Sequence, residues 1–150
     1  MTNAAVSKAG TAGSRRRARV VALQVLYETD RTRHSPNDTL DRRLSEAGLS
    51  RAAEGFTRRL VEGVFENRGR SDKIISELAP TWPIGQISDV DRNILRLAVF
   101  EMTMGRETPP KVAINEAVEL GKIFGSDSSP RFVNGVLGSL MERMKGESDT

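Results

Sequence analysis

The chain has 150 residues, 37% of them apolar before its 13 glycines are counted, which suits one domain with a core that needs no staples. It contains no cysteine, which excludes a disulfide framework, thiolate metal sites and cysteine nucleophiles. The net charge of +3 conceals a local excess: residues 1–19 hold Lys8, Arg15, Arg16, Arg17 and Arg19 without an acid, so the remainder carries a net −2, the pattern of an electrostatic footprint.

Residues 1–13 are small and polar with nothing to bury, and are read as a disordered tail. The segment 1–19 also has the acid-poor, Ser/Arg-bearing character of a mitochondrial transit peptide, the minor reading. The run VVALQVLY is broken by Gln24 and meets Glu28 at once, which argues against a secretory signal. No apolar run approaches the roughly 20 residues needed to span a bilayer, so no membrane association is expected.

From residue 14 onward the apolar spacing is helical. Ser14 is placed to N-cap a first helix to about residue 32, with Val20, Leu23 and Tyr27 on one stripe widened by Ala22, Val25 and Leu26. Ser35-Pro36 opens a second helix, proline fixing the first-turn φ without losing a hydrogen bond, and Gly48 closes it. Ser50 caps a third, with Phe56, Leu60 and Val64 one turn apart, and Ser71 a short fourth that Pro80 stops.

A fifth helix starts at Ser88 with Asp91 at the N3 position of a capping box. Its run of Ile94, Leu95, Leu97, Ala98, Val99, Phe100 and Met102 is apolar nearly all round, which marks it as the central buried helix. A stiff Glu107-Thr108-Pro109-Pro110 turn precedes a sixth helix over 111–124. The seventh opens at Ser129-Pro130 and runs to about Lys145, leaving 146–150 as a tail. The chain is therefore expected to be all-α, one helical domain over 14–145 with short antiparallel connections.

Catalysis has little to work with. His34 is the only histidine, so metal sites and histidine triads lack a second member, and it is read as a dipole partner at a helix end. Phosphate-loop and dinucleotide glycine motifs are missing. No catalytic residue, metal or cofactor is expected. The match to an N-glycosylation acceptor at Asn37-Asp38-Thr39 is discounted without a signal peptide. A helix-turn-helix also fails, because about eight residues separate helices four and five and the fifth is too apolar for a groove.

RNA is the better partner. Arg15, Arg16, Arg17 and Arg19 open a helix, where guanidinium forks can engage phosphates. Cations at a helix N-terminus oppose the macrodipole, so stability alone does not favour them there. The bland reading is a solvated tail. Single-stranded recognition also needs a flat ring for stacking. Most aromatics at helical spacing are core, but Phe132 lies in the first turn of helix seven after a polar loop.

Four segments, RRRARVVALQVLY, VDRNILRLAVFEM, KVAINEAVELGKIFG and SSPRFVNGVL, closely resemble the NusB family of bacterial transcription antitermination factors over about residues 15–141. The resemblance implies an all-helical fold of two small subdomains. It implies partnership with NusE, the small-subunit ribosomal protein, to bind single-stranded boxA RNA in nascent ribosomal RNA transcripts. Read-through by the RNA polymerase elongation complex with other Nus factors follows, in the cytoplasm; a homodimer that hides the arginines stays open.

On the family's pattern the RNA-binding arginines match Arg15, Arg16, Arg17 and Arg19, and the stacking ring matches Phe132. The basic residue opening KVAINEA matches Lys111, and the loop beside the RNA matches Asp127 and Ser128. The NusE contacts match Tyr27 and Asp91. Ser128 departs from the acid that many relatives carry, which shifts that role to Asp127 or removes it. Four neutralised phosphates would give a log–log salt slope of roughly −3 on single-stranded RNA.

Two other classes compete. The N-terminal domain of ribosomal RNA cytosine methyltransferases resembles NusB and acts as a docking module. A chain ending at Thr150 has no room for the methyltransferase domain, so the fused enzyme is not expected. A pure protein scaffold with an idle arginine tail is the second.

Overall fold

The computed structural model describes residues 13–148; the expected disordered tail lies outside them except for Gly13, as do the last two residues. Among the described residues there are seven α-helices and no strand: α1 (Ser14–Arg31), α2 (Pro36–Ala47), α3 (Arg51–Glu66), α4 (Arg68–Leu78), α5 (Asp89–Phe100), α6 (Pro110–Phe124) and α7 (Ser129–Ser148). A short 3-10 turn at Ile84–Gln86 precedes α5, and a π-helical turn at Glu101–Gly105 follows it. No described helix is long and apolar enough to cross a membrane. The chain divides into two compact units, residues 1–65 and 66–150.

The first unit holds α1, α2 and nearly all of α3. Cap chemistry sets most of its boundaries. Ser35 accepts from the Asp38 amide, Ser50 Oγ accepts from the Ala53 amide at 3.2 Å, and Gly48 ends α2 in the left-handed region at φ 63°, where glycine carries no Cβ penalty. Ser14 is not a cap. It is the first helical residue after Gly13, and α1 starts without a side-chain cap bond. The apolar stripe of α1, from Val20 through Leu26, is buried against its neighbours, and Thr57 Oγ1 reaches the Ala18 carbonyl at 3.5 Å to tie α3 to α1.

The second unit is built around α5, as its sequence predicts. Ile94, Leu95, Leu97 and Val99 are at most 1% exposed, each worth about 1.5–3 kcal/mol by burial. Helices α4, α6 and α7 pack on α5, and α6 lies along α7. Arg96, buried in this core, forms a bidentate pair with Asp72 of α4 (Nε to Oδ1 2.7 Å, second nitrogen to Oδ2 3.0 Å), the geometry that makes a buried guanidinium tolerable.

Several local expectations are corrected. Ser71 does not cap α4: the helix begins at Arg68 after Asn67, and Ser71 sits one turn inside it, fully buried. The last helix continues through Ser148, three residues past the expected end. Gly135 lies inside α7. It is exposed, a Cβ there would meet nothing within 4 Å, and nothing in the structure explains the residue. Gly125 is different: a Cβ would come within 2.3 Å of Ser129 Oγ, so the turn into α7 closes only around glycine.

Candidate nucleic-acid and partner interface

The arginine run does not form one uniform charged surface. Arg15 is exposed, and its guanidinium lies over the Phe56 ring, 4.2 Å from the centroid. Arg16 is half-buried. Arg17 donates to the Ala47 carbonyl at 3.0 Å, satisfying one of the orphan carbonyls at the C-terminal end of α2 where a cation also suits the macrodipole. Arg19 is only 3% exposed and stacks over the same Phe56 ring at 5.1 Å. The four arginines expected to meet RNA thus differ in exposure and in their contacts within the fold. Arg19 is a packing residue, Arg17 holds α2, and Arg15 with Arg16 present the accessible charge.

Farther along α1, Tyr27 is half-buried with the Arg31 guanidinium 5.4 Å from its ring centroid. Its neighbour Glu28 gathers Arg42, Arg43 and His34, with Arg43 at 3.0 Å and His34 Nδ1 at 3.4 Å. The Arg42 guanidinium is the main cause holding the Glu28 carboxyl down at about 2; partial burial opposes it, and Arg43 and His34 add to it. His34 lies beyond the end of α1 and pairs with this carboxylate, which replaces its expected role as a dipole partner.

In the second unit Lys111 is exposed in the first turn of α6. Asp127 and Ser128 are exposed in the loop before α7. That loop is closed by Ser129 Oγ, which accepts from the Ser126 amide at 2.9 Å. Phe132 follows one turn into α7, half-buried. It lines a cavity of about 380 Å³ with Trp82, Ile87, Asp91, Ser128 and Arg131.

This cavity joins residues from separate expectations. Asp91 is expected at the N3 position of a capping box and as a NusE contact. Its amide does donate to Ser88 Oγ at 3.2 Å, but the residue is 9% exposed and its Oδ1 is buried without a hydrogen-bond partner among the described residues. An orphan carboxylate oxygen beside two aromatic faces is primed to accept from a donor that enters the cavity, since leaving it unmet costs about 1–3 kcal/mol or more.

Trp82 is the residue the sequence reading missed. It is 53% exposed although most aromatics were assigned to the core. Its flanking prolines, Pro80 and Pro83, and the missing helical periodicity were the available signal. Arg131, exposed at the same cavity, was missed because it is buried in the motif between proline and phenylalanine. Among the described residues no group of three or more His, Cys, Asp or Glu side chains is placed to hold a metal. What the two units offer is binding chemistry: accessible guanidinium groups in one, and an aromatic cavity with a buried acceptor in the other.

The family model described as the NusB family matches residues 16–142. A transcription antitermination protein NusB from Roseiflexus sp. (strain RS-1) is 52% identical, covering 89% of this chain and 96% of its own length. One from Chloroflexus aggregans is 48% identical, covering 92% and 93%. Among solved structures, T. maritima NusB superposes with a TM-score of 0.79 at 33% identity over 85% of this chain and 90% of that one. A crystal structure of antitermination factors NusB and NusE in complex with double-stranded RNA gives 0.80 at 27% identity, covering 87% and 97%. These relatives are antitermination factors and not enzymes, and this chain belongs to the NusB family.

Proposed function

We propose that the chain is an RNA-binding transcription antitermination factor that acts with NusE on the boxA element of nascent ribosomal RNA transcripts. It works in the cytoplasm, where the complex helps RNA polymerase pass terminators. Membership of the NusB family carries this reading, together with the structural neighbour that holds NusE and RNA. Arg15 and Arg16 supply phosphate attraction, with Lys111 and the loop at Asp127 and Ser128 bordering the RNA. Phe132 and Trp82 offer faces to unpaired bases, which favours a single strand over the duplex of the neighbouring structure. Tyr27 and Asp91 face NusE.

The test is an electrophoretic titration of boxA-containing leader RNA with the full chain, with and without NusE, against a duplex competitor. A shift that NusE strengthens, and that the duplex displaces poorly, is the expected result. No shift in either state would leave the docking-module reading in its place.

A further inference from the structure

Helices α4 and α7 turn matching faces towards a groove of about 470 Å³, distinct from the cavity beside Phe132. On α4 the lining residues Arg70, Lys73, Ile74 and Glu77 are spaced i, i+3, i+4, i+7, which puts them on one helix face. The α7 side repeats that spacing with Leu140, Arg143, Met144 and Glu147. Met102 and Leu140 form the floor at 1% and 2% exposed, with Ile74 and Met144 half-buried beside them. Phe132 and Arg143 lie about 17 Å apart along α7, which separates this face from the proposed RNA surface.

The groove carries more positive charge than the fold uses. Arg143 pairs with both lining carboxylates, Glu77 at 2.6 Å and Glu147 at 3.5 Å. Arg70, Lys73 and Arg106 are exposed, and their side chains have no hydrogen-bond or ion-pair partner among the described residues. Arg106 is also brought to the groove by a special backbone. The π-helical turn at Glu101–Gly105 ends α5, and Arg106 follows it at φ 54°, the one non-glycine residue with a positive φ among those described. That conformation is costly for a residue with a Cβ, and π turns gather at functional sites.

We propose that this groove docks an acidic segment of a protein partner in the elongation complex, its apolar anchor side chain against Met102, Met144 and Ile74 and its carboxylates on Arg70, Lys73 and Arg106. The proposal rests on the antitermination reading and adds a protein-binding face to it. Charge complementarity sets the sign of the partner. The floor sets its class: methionine side chains mould to an apolar anchor, which a phosphodiester backbone does not supply. No ring lines the groove for bases to stack on.

The experiment places a photocrosslinking residue at the groove in the full chain, Ser148→p-benzoylphenylalanine, since Ser148 lines it and is exposed. The chain is irradiated in an elongation complex reconstituted from purified RNA polymerase, NusE and the other Nus factors on a boxA transcript, and adducts are mapped by mass spectrometry. The expected adduct is a protein segment rich in Asp and Glu. R70E/K73E turns two rim contacts repulsive and should cut the adduct yield about tenfold and lower terminator read-through. Binding of boxA RNA and NusE in electrophoretic titration, and the circular dichroism, should stay at parental values. R70Q/K73Q, which only removes the charges, should lose less. K145E, a reversal on α7 outside the groove, should change nothing. An adduct only to RNA or to a second copy of this chain, no adduct, or one that R70E/K73E leaves intact overturns the docking groove while the antitermination reading stands. If the parent binds no boxA RNA with or without NusE, that reading falls, and the groove falls with it as a face of the same complex.

Discussion

The start of α1 and the cavity beside Phe132 are both read as facing RNA, yet they are built on opposite principles. At the start of α1 the chemistry is ionic, and burial grades it: Arg15 is exposed, Arg17 is half-buried on the Ala47 carbonyl and Arg19 is 3% exposed. The same residue type does three jobs within two turns. Beside Phe132 the chemistry is apolar, with Trp82 and Ile87 around a buried carboxylate oxygen. A charged motif can lend members to the fold because guanidinium stacks and caps as readily as it binds phosphate. An aromatic cavity has no such latitude, since its rings must stay uncovered to act.

The largest effect should come from removing the ring on which the arginines rest. Phe56 is 2% exposed beneath Arg15 and Arg19. Phe56→Ala should cost about 3–5 kcal/mol, a large share of the 5–15 kcal/mol typical of a domain, and thermal unfolding followed by circular dichroism reads it directly. A loss below about 1 kcal/mol would mean that the arginine start is not anchored through this ring.

Phe132→Ala comes next, because it tests the apolar half. Loss of one stacked base should weaken single-stranded RNA binding by about 1–3 kcal/mol while leaving the salt slope at its wild-type value. R15A/R16A is the mirror image: the slope magnitude should fall by about 1.4, two phosphate contacts, with the folded state retained because neither residue belongs to the buried core. If Phe132→Ala flattens the slope, or the arginine variant does not, the division between ionic and stacking chemistry fails.

Much of this was legible in the sequence for local reasons. Ser35, Ser50 and Ser88 cap helices where hydroxyls precede apolar runs, Gly48 ends one, and the apolar circumference of α5 marks the helix at the centre of its unit. The failures are also instructive. Ser71 carries the residue type of a cap, but Asn67 is the single residue separating α3 from α4, so the helix starts earlier and the serine is swallowed. Arg19 precedes Leu23 by one turn, which puts it on the buried stripe; composition reports its charge but not that phase. The cavity around Asp91 needs Ser128, Arg131 and Phe132 at the α7 start to meet the 82–88 stretch that leads into α5, and a pairing of two segments so far apart in sequence has no local pattern to encode it. The family resemblance supplied the residue matches, and the structure supplied their unequal accessibility.

The smallest effect concerns what keeps the arginine start in place, and it has a defined pH window. Arg17 fastens α1 to the end of α2, and Glu28 fastens the other end of α1 through Arg42 and Arg43. The Glu28 carboxyl is held at about 2, below its ordinary value of 4.5, chiefly by the Arg42 hydrogen bond. A depressed carboxyl stabilises the fold above its unfolded value and loses that contribution as acid approaches the folded one. Glu28→Gln should therefore cost about 1 kcal/mol near neutrality, a modest figure because Arg42 is 48% exposed and solvent screens the pair. The gap between variant and parent should narrow as the pH falls from 4.5 towards 2, read by urea denaturation at each pH. A gap that stays constant through that window would show that Glu28 acts by shape and not by charge. RNA binding by the isolated variant at pH 7 should match the parent, because Glu28 secures the helix that carries the arginines without being asked to touch the ligand.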